Sequence, residues 1–310
     1  MASLAVADRA ASPRALRHGE MSLRTAAEMD AIARAGAAVA AALDAAAAAV
    51  RAGATTAELD VAARAALAAA GAEPTFVGYP NPFGGTAFPA AACVSVANEA
   101  VHGIPGARVL CAGELVKIDV GARIDGWCAD AAVTVVVPGA QAADAEAFVA
   151  DAWETLHAGI ARMQPGCRWS DVAEAMQRVA FGRGHGMVDG WHGHGIGRAA
   201  HEAPQAPSIV TPGLRERRDF TLLPGMVLAV EPILVMGARG SVDASGNATH
   251  VPVSVAEDGW TVRAADGLAV AHVEHTVAVT RHGPRILTRR AGARAAADLV
   301  PNDGGCSQAG

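Results

Sequence analysis

The sequence is poor in aromatic residues and has no concentrated positive charge. Only 4% of its 310 residues are aromatic, and the net charge is −6 at pH 7. A surface that binds nucleic acid or an anionic membrane needs a basic patch or stripe. We therefore expect neither nucleic acid nor a membrane among the direct partners of this chain.

Uninterrupted apolar segments and paired cysteines are also missing. The alanine-rich stretch 31–50 contains Arg34 and Asp44, so it predicts a helix of a soluble protein rather than a membrane span. The first residues lack the basic start and apolar centre of a signal peptide.

The five cysteines are irregularly spaced and form no CxxC pair: Cys93, Cys111, Cys128, Cys167 and Cys306. Free thiols in a reducing cytoplasm are the simplest interpretation.

Apolar periodicity divides the chain into helical and extended segments. Helices are predicted over 25–51, 56–71, 141–163 and 170–183, with starts at Thr56 and Ser170. Segments rich in valine and isoleucine predict strands over 115–123, 127–137, 226–235 and 268–280. We expect residues 1–20 to be a flexible leader, 21–290 a single folded domain, and 291–310 a flexible tail.

Two short patterns recur at nearly the same spacing. The segments 53–60 and 166–172 both begin with glycine and lead through a turn into a helix, 113 residues apart. The segments 113–119 and 225–231 both run from a glycine through five strand residues to a carboxylate, 112 residues apart. The shared offset indicates two related halves, each a helix pair followed by a sheet, divided near residue 140.

One hairpin places two carboxylates close together. The dipeptide Asp125-Gly126 is a strong signal for a two-residue turn, which sets Asp130 opposite Gly121. Asp119 lies two residues from Gly121 and so shares its face. The two carboxylates would repel each other unless a cation lay between them. The alternative is a pair of surface acids neutralised by basic residues of the same face, Lys117 and Arg123.

Further acids and a histidine-rich loop extend this set. Glu231 and Glu274 lie within apolar strand segments, where an unpartnered carboxylate is costly to bury. Exposure of one strand face is the alternative for each. Glycines flank His194 and allow the backbone to approach whatever its imidazole binds. Four histidines lie close together in this region: His185, His192, His194 and His201.

In their order and spacing, these motifs resemble the signature of the methionine aminopeptidases. The matching segments are Asn98-Glu-Ala-Val-His102-Gly-Ile-Pro, Lys117-Ile-Asp119 with Asp130, His194-Gly-Ile-Gly-Arg with His201, Val230-Glu231-Pro, and Val273-Glu274-His-Thr. The similarity covers roughly residues 21–288. It implies the α+β pita-bread fold, with two pseudo-symmetric halves, an antiparallel sheet core and outer helices. The folded domain 21–290 would then be catalytic, with halves of about 21–140 and 141–290.

The resemblance also implies a dinuclear metal site. Its ligands would be Asp119, Asp130, His194, Glu231 and Glu274. Four carboxylates and one imidazole form an oxygen-rich set, which suits two divalent ions of cobalt, manganese or iron(II). The set does not resemble a zinc site built from thiolates.

The resemblance assigns roles to further side chains. Glu231 would accept and return a proton, His201 would face the developing oxyanion, and His102 would face the first peptide nitrogen of the substrate. Cys93 and Trp260 match walls of the pocket that takes the methionine side chain, although core packing is an equally good interpretation of both. The pocket differs from that of relatives at Ala200, which is often aromatic, and in the longer 80–92 loop.

The implied function is removal of the initiator methionine from nascent polypeptides that have a small second residue. Only 30 residues separate His201 from Glu231, which leaves no room for the helical insertion of the second type and favours type I. A cytoplasmic monomer is expected, with the ribosome as a second candidate partner. The alternatives are an Xaa-Pro aminopeptidase-like enzyme and a non-catalytic protein-binding module of the same fold.

Overall fold

The computed structural model describes residues 21–139, 142–265 and 267–290. The predicted leader and tail lie outside these residues. The described residues form four α-helices: α1 (Ala26–Ala48), α2 (Thr56–Ala69), α3 (Ala143–Arg162) and α4 (Trp169–Gly182). All four predicted helices are thereby confirmed. A short π-helical segment covers Leu214–Arg218.

Fifteen strands complete the described residues, and every pairing between them is antiparallel. They are β1 (Glu73–Pro74), β2 (Ala92–Val96), β3 (Glu99–Val101), β4 (Leu115–Ile124), β5 (Trp127–Val136), β6 (Gly186–Met187), β7 (Gly193–Gly195), β8 (Glu202–Ala206), β9 (Val227–Val230), β10 (Ile233–Val235), β11 (Val253–Val255), β12 (Val262–Ala264), β13 (Val270–His272), β14 (His275–Thr280) and β15 (Gly283–Ile286).

The second helix begins at Thr56, as predicted. Thr55 caps it: the Thr55 hydroxyl accepts from the backbone of Glu58, whose carboxylate in turn accepts from the backbone of Thr55. This reciprocal arrangement satisfies two N–H groups that no helical carbonyl can reach. In the second half, α4 begins at Trp169 rather than at Ser170.

The first helix deserves comparison with a membrane span, because among the described residues it alone has the necessary length and apolar composition. It lies against α2, β4 and β5, and one face of it is buried in the core of the first half. Residues such as Ile32 and Leu43 are inaccessible to solvent there. Its apolar surface is therefore used in packing against the sheet.

The β4–β5 hairpin has the predicted register. Ile124 pairs with Trp127, which leaves Asp125 and Gly126 as the loop, and both have positive φ angles of 51° and 74°. Two consecutive residues in this conformation are the requirement of a type I′ turn, whose twist matches that of the flanking strands. Consequently, Asp130 lies opposite Gly121 as predicted.

The two helix pairs cover opposite parts of the sheet structure. The pair α1 and α2 packs on β2, β4 and β5, whereas α3 and α4 pack on apolar residues of the second half, including β9 and β14. The sheets of the halves meet where β5 runs beside residues 272–276. There Glu274 N–H donates to the carbonyl of Ala132, and His272 N–H donates to the Thr134 hydroxyl.

Two predicted strands are each interrupted. The segment predicted as 226–235 forms β9 and β10 in different sheets, with Glu231 and Pro232 between them. Proline has no N–H to continue the ladder of hydrogen bonds, which accounts for the break. The segment predicted as 268–280 likewise forms β13 and β14, with Glu274 in the gap. Both interruptions occur at carboxylates singled out by the sequence.

Candidate metal centre

Four carboxylates and one imidazole meet where the two halves join. They come from β4, β5, β7, the residue after β9 and the residue before β14, as Asp119, Asp130, His194, Glu231 and Glu274. Ligand atoms of Asp130, His194 and Glu274 all lie within 4.8 Å of one another. The structure thus brings together the five side chains predicted as ligands, which come from four separate motifs.

Hydrogen bonds across the junction fix the orientation of Asp130. The hydroxyl of Thr276, on β14, lies 3.1 Å from Oδ1 of Asp130 and also donates to the Asp130 carbonyl. The second oxygen, Oδ2, is left facing Nε2 of His194 at 3.6 Å. Thr276, from the second half, thereby orients the carboxylate of Asp130, from the first half.

Two glycines allow the backbone of β7 to reach its position. A Cβ atom on Gly193 would lie 2.3 Å from the carbonyl oxygen of Ala229, and one on Gly195 would lie 2.2 Å from that of Ala203. Such distances are far below van der Waals contact. The strand that carries His194 can therefore fit between its neighbours only with glycine on both sides of His194.

His194 directs one ring nitrogen into the carboxylate group. Its Nδ1 lies 2.9 Å from the carbonyl oxygen of Gly195, so Nδ1 carries the proton. In the neutral imidazole, Nε2 then presents a lone pair 3.6 Å from Oδ2 of Asp130 and 3.7 Å from Oε1 of Glu231. These atoms repel one another unless a cation lies between them. The donor set therefore fits a bound metal ion.

The pKa values of three carboxyl groups indicate the same need for positive charge. Burial, together with the charges of neighbouring carboxylates, raises the pKa values of Asp119 and Glu274 well above their ordinary range. Burial raises the pKa of Asp130 to about 6. Oδ1 of Asp119 is buried and has no hydrogen-bond partner. A divalent ion would coordinate this atom and would also compensate the negative charge of the carboxylates.

Glu231 differs from these three groups. Burial acts to raise its pKa, but contact with His272 and the charges of His272, His194 and His102 outweigh burial and lower it. Oε2 of Glu231 lies 3.4 Å from Nε2 of His272. Glu231 is therefore the member of the set that most readily stays ionised without a metal ion.

Two further histidines line the cleft beside this centre. Burial lowers the pKa of His102 to about 4, and His102 adopts a positive φ angle of 59°, which is uncommon outside glycine. Desolvation, assisted by the nearby His194 and His102, lowers the pKa of His201 well below its usual value, although its ring is open to the cleft. Both imidazoles are therefore neutral at pH 7.

Tyr79 holds His201 from the opposite side. Its phenol oxygen lies 2.9 Å from Nδ1 of His201, and the two ring centroids are 5.1 Å apart. A phenol donates readily to an imidazole nitrogen, which leaves the proton of His201 on Nε2. Tyr79 is the only tyrosine of the chain, but its spacing from His201 carries no local signal, and the sequence analysis missed this contact.

An apolar cluster lies on the far side of His102. It contains the two residues predicted for the pocket walls, Cys93 and Trp260, together with Phe76 and the loop residues Phe88 and Ala90. Trp260 contacts Phe88 edge-on at 5.1 Å and lies 6.2 Å from the His102 ring. Its indole N–H donates to the carbonyl of Thr86, which ties the loop to this wall.

Comparison with known proteins places these features in a family. The model of metallopeptidase family M24 matches residues 30–281. The chain belongs to metallopeptidase family M24. Members of this family are metal-dependent exopeptidases with the pita-bread fold, so the predicted α+β architecture and hydrolase activity are confirmed, as is the use of divalent metal.

Individual M24 relatives are similar over nearly their whole length. Methionine aminopeptidase 1 of Mycobacterium tuberculosis is 44% identical over 272 residues, which cover 86% of this chain and 94% of the relative. The enzyme of the same name from Bacillus subtilis is 39% identical over 71% of this chain and 79% of its own. A crystal structure of methionine aminopeptidase from Thermotoga maritima superposes with a TM-score of 0.76 at 34% identity, covering 86% of this chain and 99% of the other.

More distant M24 structures share only the fold. Xaa-Pro dipeptidase from Bacillus anthracis has a TM-score of 0.64 at 20% identity, and this chain covers 62% of it. The similarity is thus stronger to the methionine aminopeptidases than to this proline-directed enzyme.

Proposed function

We propose that this protein removes methionine from the N-termini of polypeptides with a small second residue, by hydrolysis at a dinuclear metal centre. Asp119, Asp130, His194, Glu231 and Glu274 would hold the two ions. The observation that carries the proposal is the lone pair of His194 Nε2, which faces two carboxylate oxygens across a gap suited to a cation. The identity to methionine aminopeptidases over most of the chain supports it.

The donor set favours hard or borderline ions with mainly oxygen ligands. Manganese, iron(II) and cobalt meet this description, whereas a structural zinc site would draw on thiolates. Cys93 is buried in the cluster beside the centre, and burial raises the pKa of its thiol well above the ordinary value. It would therefore remain a thiol and serve as an apolar wall.

When bound, the two ions supply Lewis acidity and lower the pKa of a water molecule held at the centre. Glu231, ionised and within the centre, accepts a proton from the attacking water and returns it to the leaving amine. His201 points Nε2–H toward the oxyanion, because Tyr79 donates to its Nδ1. His102 faces the first peptide nitrogen of the substrate and orients the scissile bond.

The apolar cluster would take the methionine side chain. Cys93, Phe88 and Trp260 present thiol and ring surfaces, with which a thioether makes favourable contacts. Phe88 lies on the long loop and supplies an aromatic wall of this cluster. We expect selectivity for methionine to depend on this loop.

We further propose that the enzyme is a cytoplasmic monomer that acts on the N-terminal segments of nascent polypeptides, with the ribosome as a second partner. Four cysteines lie in the described residues, and all four are free thiols: Cys93, Cys111, Cys128 and Cys167. Free thiols accord with a reducing compartment.

The proposal is tested by metal analysis combined with turnover. Metal-free protein should regain activity on Met-Ala-Ser when titrated with manganese, iron(II) or cobalt, and it should bind about two ions. Xaa-Pro peptides should be poor substrates under the same conditions. Binding of no ions would identify a non-catalytic module, and faster cleavage of Xaa-Pro peptides would identify a proline-directed enzyme.

A further inference from the structure

His272 is a buried histidine beside the metal centre that none of the sequence motifs selected. It ends β13 and is 1% exposed. Neither of its ring nitrogens has a hydrogen-bond partner by geometry, yet Nε2 lies 3.4 Å from Oε2 of Glu231. Leaving a buried polar group without a hydrogen bond is unfavourable. A purely structural histidine would be expected to have found a partner.

A neighbouring residue shows what a structural histidine looks like here. His275, also 1% exposed, lies 3.0 Å from the Thr288 hydroxyl through Nδ1 and contacts the Trp153 ring at 5.4 Å. The hydrogen bonds of His272 are made by its backbone. Its N–H donates to the Thr134 hydroxyl, and its carbonyl accepts from the same hydroxyl. Its main chain is thus fixed firmly, while its imidazole is directed at a carboxylate of the metal centre.

The two oxygens of Glu231 face different imidazoles. Oε1 lies 3.7 Å from Nε2 of His194, and Oε2 lies 3.4 Å from Nε2 of His272. His272 therefore faces the oxygen of Glu231 that His194 does not, which suits it to hold Glu231 rather than to share an ion with His194.

We propose that His272 is a positioning residue that donates Nε2–H to Oε2 of Glu231 and thereby directs Oε1 at the metal ions. The inference rests on the proposed function, in which Glu231 is a ligand. Outer hydrogen bonds of this kind orient ligating carboxylates, and their loss typically lowers metal affinity about 10- to 100-fold.

The test is titration calorimetry of Mn²⁺ into metal-free protein. His272→Leu removes the donor, and His272→Gln replaces the ring with an amide that can still donate. His275→Gln is the matched control, because it changes an equally buried histidine three residues away. We expect His272→Leu to weaken one of two binding events about 10- to 100-fold, and both glutamine variants to stay within about threefold of wild type.

The outcomes distinguish failure of the positioning role of His272 from failure of the proposed function. If wild type binds two ions and His272→Leu binds them equally well, the positioning role is wrong and the proposed function stands. If His272→Gln loses as much affinity as His272→Leu, donation to Glu231 is likewise refuted. If wild type binds no ion, the proposed function itself fails. Should the leucine variant not fold, His272→Ala, which adds no bulk, gives the same comparison.

Discussion

The metal-free protein should become more stable when Asp130 is replaced by asparagine. Asp130 is 3% exposed, and burial raises its pKa from 3.8 to about 6. The folded state therefore binds this proton more tightly than the unfolded state, so the associated stability is complete below pH 4 and is lost as the pH rises to about 6. A shift of about two units corresponds to about 3 kcal/mol.

The geometry explains why asparagine suits this position. Oδ1 of Asp130 is near the Thr276 hydroxyl, and Oδ2 faces the Nε2 lone pair of His194. An asparagine can keep its oxygen toward Thr276 and place its NH₂ group toward His194. A repulsion is thereby replaced with a hydrogen bond, at nearly constant volume.

Urea unfolding in the presence of a chelator provides the assay. At pH 7.5, Asp130→Asn should exceed wild type by up to about 3 kcal/mol, and near pH 4 the two should coincide. Mn²⁺ at a thousand times its Kd should reverse the order, because an ion bound only by the folded state then adds about 4.1 kcal/mol to the stability of the wild type. The reasoning is refuted if the variant is less stable than wild type in chelator at pH 7.5, or if the difference does not change with pH.

Asp219 offers a control of the opposite sign. Burial acts to raise its pKa, but hydrogen bonds from Arg168 and Ser170 lower it overall. Its stabilising contribution is therefore present above the unfolded pKa and is lost as the pH falls through the folded one. Asp219→Asn should destabilise the protein at pH 7.5 equally with and without metal.

Three further predictions concern the cleft. His102→Ala and His201→Ala should each lower kcat on Met-Ala-Ser about 100-fold or more while metal content stays at two ions, and near-normal turnover would remove their assigned roles. Tyr79→Phe deletes one neutral hydrogen bond worth about 1 kcal/mol, so kcat should fall roughly fivefold with KM unchanged; an unaltered kcat would mean that His201 does not depend on this contact. Trp260→Ala opens the apolar cluster and should raise KM about 10- to 100-fold. The reason is that burying a methionine side chain contributes about 1.5–3 kcal/mol, which the open cluster would lose. An unchanged KM would place the methionine elsewhere.

The local part of the site could be predicted from the sequence, because it depends on short-range geometry. The type I′ turn at Asp125-Gly126 sets the register of β4 and β5, and the alternation of strand faces then brings Asp119 and Asp130 to one side. This contact is made across a single hairpin. The glycines around His194 are visible in the sequence, but the contact that requires Gly193, with Ala229, is not local.

The remaining features depend on contacts between distant strands. No local pattern indicates that residues 272–276 run beside β5, and this pairing alone brings Glu274 next to Asp130. The approach of His272 to Glu231 and of Tyr79 to His201 has the same origin. Pro232 is a visible signal for the end of β9. Apolar residues continue beyond it, however, and their pattern predicts one continuous strand over 226–235.

The internal repeat predicted from the sequence accounts for the position of the centre. Each of its glycine-initiated segments carries an acid, Asp119 within β4 and Glu231 directly after β9, and hydrogen bonds join β5 to residues 272–276. Corresponding acids of two joined halves thus lie at a common junction, where burial and mutual repulsion make them unfavourable without cations. The metal ions would accordingly bind both halves at once. Their removal should weaken the junction itself, so stability and activity are expected to be lost over the same range of free metal concentration.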